Sequence, residues 1–301
     1  MKNISRSTVF VLALALYSGA STVCYAQSNG LNAENISKLT GLKGQMNEKE
    51  RVYKVSFPRG DIKSVAAGVS LTPPLGLTSW AAFTKTGEHV MMMGDTVLTE
   101  DQVNPVMSVA LENGLEVTAL HNHFFYDSPK VMFMHIGGMG DESTLAKAVG
   151  LVYAKVKETI ATKVIFPELA FDPSKTTLNP ELIAKIIGTK GDLKDGVFKV
   201  TIGRTTKMHG AEMGSAMGVN TWAAFAGTDQ KAVVDGDLAM LESELQGVLK
   251  QLRASGINVV AIHNHMANET PRILFLHFWG TGATVDLAKG IKAALDTQNL
   301  K

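Results

Sequence analysis

Residues 115–136 read LEVTALHNHFFYDSPKVMFMHI, and residues 257–278 read INVVAIHNHMANETPRILFLHF. Each stretch is an apolar run closed by His-Asn-His, a short turn holding an acid and a proline, and a second apolar run ending near another histidine. Two such runs bounded by a polar turn read as paired strands. Side chains alternate faces along a strand, so His121 and His123 share one face, as do His263 and His265. With the turn centred near Ser128, residues whose numbers sum to 256 oppose each other, which sets His121 across from His135. Three imidazoles of each copy, His121, His123 and His135 or His263, His265 and His277, then share one face.

A shift of 142 residues aligns Gly68–Lys147 with Gly210–Lys289 without a gap, and 25 of those 80 positions are identical. The matches include Trp80-Ala81-Ala82-Phe83 with Trp222-Ala223-Ala224-Phe225, and Gly94-Asp95 with Gly236-Asp237. Val52-Tyr53-Lys54-Val55 resembles Val197-Phe198-Lys199-Val200 after a small change of length. A period this long indicates a duplicated domain, since solenoid units are roughly 20–50 residues.

Within the first copy, residues 51–57, 78–85, 88–95, 115–123 and 131–136 have strand patterns. Thr99 with Gln102 three residues on forms a capping box, predicting a helix over 100–113 that stops at Gly114, with Pro105 near its first turn. A second helix is expected over 143–157. The other copy repeats this order, with helices over 241–254 and 284–296. The expected fold is α+β: two tandem pseudo-symmetric repeats, each an antiparallel sheet with helices packed on it, the two packing on each other. The expected boundaries are a signal peptide at 1–26, repeat one at 27–159, a proline-containing linker at 160–178 and repeat two at 179–301.

The first 26 residues have the layout of an export signal: Lys2 and Arg6, an apolar stretch, then small residues ending at Ala26. The apolar stretch is far short of the ~20 residues that span a bilayer. Cleavage is favoured over lipidation at Cys24, because Ser21-Thr22-Val23 lacks the small residue expected just before a lipid-modified cysteine. The expected location is periplasmic or secreted. Removing Lys2 and Arg6 moves the formal charge from +1 to −1, which gives nucleic acid no basic surface. Cys24 is the one cysteine, so thiolate chemistry is excluded from the mature chain.

Three neutral imidazoles with an open fourth position suit zinc or another divalent transition metal. Asp127 and Glu269, at equivalent turn positions, are candidates for a carboxylate ligand or general base. His209 and Glu212 stand where an ungapped alignment puts Ala67 and Ser70, while the first copy offers Arg59 and Asp61. His209 is thus a further candidate ligand and Glu212 a further candidate base, pointing to the second copy as the active one. Histidines satisfied by one another and by backbone are the structural alternative. Trp80 and Trp222 read as core packing, and Met91-Met92-Met93 as strand core in preference to a thioether copper site. Asp95 and Asp237, each after glycine and shortly before a helix, read as turn formers.

The combination Val52-Tyr53-Lys54-Val55, Leu75-Gly76-Leu77-Thr78-Ser79-Trp80, Met93-Gly94-Asp95 and Val117 to His123 with Ser128-Pro129 and Met134-His135 resembles the LppY/LpqO family of exported bacterial proteins. That resemblance covers nearly the whole mature chain and implies export without implying an activity. The residues themselves suggest an exported metal-binding protein, in one version a metal-dependent hydrolase. The alternative is a non-catalytic module for a small molecule or cell-envelope component.

Overall fold

A computed structural model of the chain describes residues 30–162 and 169–299. The expected signal peptide with Cys24 lies outside these residues, as does part of the expected linker. In the first repeat the chain forms α1 (Ala33–Thr40), β1 (Gly44–Asn47), β2 (Val52–Pro58), β3 (Val65–Ala66), β4 (Val69–Ser70), β5 (Thr78–Thr86) and β6 (His89–Thr99). It continues through α2 (Glu100–Glu112), β7 (Glu116–Asn122), β8 (Asp127–Ser128), β9 (Val131–Gly140) and α3 (Glu142–Ala161). The second repeat comprises α4 (Pro180–Ile187), β10 (Gly191–Lys194), β11 (Val197–Gly203), β12 (Thr206–Met208), β13 (Ala211–Met213), β14 (Asn220–Gly227) and β15 (Ala232–Leu241). It ends with α5 (Leu245–Ala254), β16 (Asn258–His263), β17 (Ile273–Gly282) and α6 (Thr284–Leu295). No helix among the described residues is long and apolar enough to cross a membrane.

Twelve strands form one sheet in the order β1-β2-β5-β6-β9-β7-β16-β17-β15-β14-β11-β10. Read from either end, the order visits corresponding strands of the two repeats, as a pseudo-twofold arrangement requires. The repeats are therefore fused edge to edge through antiparallel β7 and β16, with Leu120 facing Ile262. This continuity closes what would otherwise be two unpaired edges. The helices lie together on one face, where Val90, Met92 and Leu98 of β6 join Val149, Val152 and Val156 of α3 in the main core.

The seam is held by two reciprocal side-chain clamps. The Asn104 amide of α2 donates to Val259 O at 3.1 Å and accepts from Val259 N at 2.8 Å. Gln246 of α5 does the same to Val117, at 2.9 and 3.0 Å. Both valines sit at ladder irregularities, between Val117 and Ala119 and between Val259 and Ala261. A bulge leaves backbone groups without ladder partners. Each repeat thus satisfies the other's bulge.

The opposite face carries two smaller apolar clusters. In repeat one Ile62, Leu71, Leu77, Val97, Val131 and Phe133 pack together. In repeat two Met213, Val219, Ala239, Ile273 and Phe275 do so. Consequently Asp95 to Leu98 of β6 are buried on both faces, and the strand runs on to Thr99 although its alternating pattern is lost. β9 likewise runs through Gly137-Gly138-Met139-Gly140.

Other details differ from the expectations. Pro105 lies inside α2, one turn deeper than expected, while Gln102 accepts the Thr99 amide at 3.1 Å as a capping box requires. Arg59 is not peculiar to the first copy. A gapped alignment pairs it with Arg204, because β2 and β11 have the same length and the following loop is shorter in the second copy. Buried Arg59 bonds Asp61 at 2.8 Å and Gln102 at 2.9 Å. Arg204 instead meets Glu244, which occupies the Gln102 position, at 2.7 Å. The carboxylate has changed places while the ion pair is kept.

Replacing Asn104 by alanine should strand the amide and carbonyl of Val259 and lower unfolding stability by about 1–3 kcal/mol, measured by urea denaturation. Gln246→Ala should cost less, because Gln246 is partly exposed and water can take its place. Equal, negligible losses would mean that the seam does not need the clamps.

Candidate functional site

The histidines cluster on the face away from the helices, at the border of the small apolar clusters. In repeat two Asp237 projects from the middle of β15 and pairs directly with His277 of β17. Its Oδ2 is 3.4 Å from His265 Nε2, and its Oδ1 is 3.8 Å from both His263 Nε2 and His277 Nδ1. Two donors ~2.0–2.1 Å from one ion at a tetrahedral angle stand roughly 3.3 Å apart, so these separations suit a shared ion. Asp237, His263 and His265 can each offer one ligand atom within 4.8 Å of the others. Asp237 Oδ1 and His263 Nε2 are buried and have no hydrogen-bond partner. Unsatisfied buried polar atoms are rare enough to require a cause.

The rings are positioned by apolar packing. His265 stacks on Phe275 with centroids 3.4 Å apart, and His263 lies against His277 at 4.4 Å. Burial pushes the His263 pKa down, with the Asp237 charge opposing it and the neighbouring imidazoles adding to it. The neutral, metal-binding form of His263 is thereby favoured.

Repeat one has the same parts in a different arrangement. Asp95 pairs directly with His135, and His135 Nε2 is 3.0 Å from His121 Nε2. His123 stacks on Phe133 at 3.8 Å, and His121 Nδ1 is 3.2 Å from Asn122 O. Burial raises the Asp95 pKa, opposed by His135, His123 and His121 in that order. Burial lowers that of His123, with help from the charge of His121. Asp95 Oδ1 is also buried without a hydrogen-bond partner.

The hairpin register differs from the expected one by two residues. His121 faces Phe133 and Ala119 faces His135, so residue numbers sum to 254 and the two histidines are diagonal neighbours. A slip of two preserves side-chain parity, and the imidazoles still share a face. Of the other candidate residues, the two turn acids have structural partners. Asp127 Oδ2 accepts the Val131 amide at 2.7 Å, and Glu269 Oε1 accepts that of Ile273 at 3.1 Å, so both acids tie down the hairpin turn. Glu212 stands across from Lys207 in the β12–β13 ribbon, and exposed His209 forms its turn with φ of 51°.

Asp95 and Asp237 are the residues that sequence reasoning misassigned. They lie inside long strands, four residues before the end of each. The available signal was the repeated Gly-Asp pair itself. A Cβ at Gly236 would lie 2.2 Å from Phe278 and 2.3 Å from Trp222 O, so close packing demands the glycine without any turn. Trp80 and Trp222 are likewise half-buried on the histidine face, each with a lysine, Lys54 or Lys199, 4.2 Å from the ring centroid.

A family model described as "Domain of Unknown Function (DUF1259)" matches this chain twice, over residues 34–155 and 181–297. No curated protein and no solved structure matches it.

Asp237→Asn removes the negative charge that supports protonation of His263. The His263 titration, followed by NMR of the imidazole C–H in metal-free protein, should move to lower pH. A shift to higher pH would contradict the electrostatic assignment.

Proposed function

We propose that this chain, which belongs to the family described as Domain of Unknown Function (DUF1259), is an exported protein that binds a divalent transition metal in its second repeat. The observation that carries the reading is the buried carboxylate of Asp237, whose Oδ1 has no hydrogen-bond partner and faces His263 and His277 while Oδ2 faces His265. A carboxylate with imidazoles is a donor set suited to zinc or its neighbours. His263, His265 and Asp237 are the first ligands, with His277 beside them. Export rests on the signal-like residues 1–26 and on the LppY/LpqO resemblance.

The metal-dependent hydrolase is the enzymatic version of this reading. A bound divalent ion would lower the pKa of a water molecule. Glu269 and Glu212 are the bases suggested by the sequence, but the bond of Glu269 in the turn and the place of Glu212 in the separate β12–β13 ribbon favour Asp235 instead. β15 sets Asp235 two residues from Asp237 on the same face, across from Trp279. The non-catalytic alternative draws support from a cleft of about 590 Å³ lined by Arg59, Asp61, Lys63, Asp101 and Pro129, a volume within the usual range for small ligands. Its occupant would be a small molecule or a cell-envelope component.

Native protein should carry one zinc-class ion per chain by elemental analysis. Adding zinc to stripped protein at about 100 times its Kd should stabilise the fold by about 2.7 kcal/mol. His263→Ala and Asp237→Ala should lose both effects, together with any esterase or phosphoesterase turnover. Absence of stoichiometric metal combined with no thermal shift would overturn the proposal.

A further inference from the structure

We infer that the first repeat holds a second site of different chemistry, a thioether site for monovalent copper formed by Met91, Met93 and Met139 beside His135. The inference stands on the first repeat alone and does not require the divalent site of the second.

Alternation along β6 sends His89, Met91, Met93 and Asp95 to the histidine face while Met92 points into the main core. Across the ladder to β9, Met91 opposes Met139, Met93 opposes Gly137 and Asp95 opposes His135. Directly opposed residues have Cβ atoms about 4.5–5.5 Å apart, and diagonal ones about 7–8 Å, within reach of long side chains. The three thioethers and the His135 imidazole therefore surround the position above Gly137. That position is open: a Cβ built there meets only Met92 O, at 3.6 Å.

Met91, Met93 and Met139 are 40%, 56% and 66% exposed, unlike a strand core. Exposed methionines also occur on adaptable protein-binding surfaces. Two observations favour an ion over a partner protein. The patch is continuous with an imidazole pair and with a buried carboxylate oxygen that has no hydrogen-bond partner. The second repeat, on the same backbone, replaces every thioether position: Val233 for Met91, Asp235 for Met93 and Thr281 for Met139. Trp279 stands where Gly137 leaves room. The aspartate and three histidines are kept in both repeats, and the soft ligands are confined to one. Thioethers select Cu(I), whereas carboxylate and imidazole suit harder divalent ions. The two clusters are thus tuned to different ions, with no electron transfer implied between them.

Silver(I), a redox-inert stand-in with similar ligand preference, tests the site in the full chain. Calorimetric titration should find one tight Ag(I) site in the wild type. Met93→Leu combined with Met139→Leu, a change that keeps side-chain volume, should weaken Ag(I) binding by at least the order of 10–100-fold that losing an outer-shell partner costs. Zinc binding should be unchanged in that variant, and Asp237→Asn should retain Ag(I). Unchanged Ag(I) affinity in the double variant would overturn the inference, as would loss of Ag(I) in Asp237→Asn. A measurement that needs no variant follows the methionine methyl resonances: Ag(I) should shift those of Met91, Met93 and Met139 and spare buried Met92. Shifts absent from the first three, as for a patch that only docks a protein, would reject the site.

Discussion

The reciprocal amide clamp at the seam is the constraint from which the rest of the structure follows. β7 and β16 are the strands that each repeat would leave open, and both carry an irregularity immediately before their histidines. An edge with unpaired amides and carbonyls invites uncontrolled pairing. Here Asn104 and Gln246 bond the affected valines from across the seam. Thus duplication does more than double a domain: each repeat completes the strand on which the other's histidines sit. A bulge also re-aims the side chains that follow it. The diagonal placement of His121 against His135, and of His263 against His277, is set downstream of that device.

The second constraint is the buried aspartate. A lone carboxylate removed from water is costly unless something compensates its charge. The charge partners within 4 Å of Asp237 among the described residues are imidazoles, and His263 is driven toward the neutral form by burial. An imidazole in that form compensates little charge, so a cation is the economical partner. Fixed geometry supports the same conclusion, because Phe275 lies flat under His265 and Gly236 lets Phe278 and β14 close tightly around the strand. The donor atoms of the proposed site are thus held in place by packing.

Much of this was legible in the sequence, for identifiable reasons. Duplication is visible as identity at a fixed shift, and strand parity survives a register error of two, so the histidine face could be read although the facing pairs were wrong. Asp95 and Asp237 were not legible because β6 and β15 are covered on both sides near their ends. Alternation, which marks a half-buried strand, vanishes there and leaves Gly-Asp looking like punctuation. The methionines were misread for the opposite reason. Val233-Val234-Asp235 at the same positions of the second copy suggested a strand core, yet period two places Met92 inside and Met91 and Met93 outside. Arg59 looked unique only because an ungapped shift misaligned it with respect to Arg204.

The two faces show what a duplicated scaffold can vary once its seam is fixed. Positions that touch the main core are constrained by packing on the helices. On the opposite face, beyond the small apolar clusters, positions such as Met91, Met93 and Met139, or Asp235 and Thr281, meet solvent and can change their chemistry at little cost to stability. Gly137 and Trp279 make the point. With no side chain, the first leaves an open floor between His135 and Met139, whereas the second places an indole, 42% exposed, between His277 and Thr281. Filling that space closes one side of the second cluster and leaves Asp237 and Asp235 as its acidic wall. Leaving it empty opens the first cluster toward its thioethers. One backbone thus presents a harder and a softer set of donors, and the difference lies almost entirely in side chains that the core does not control.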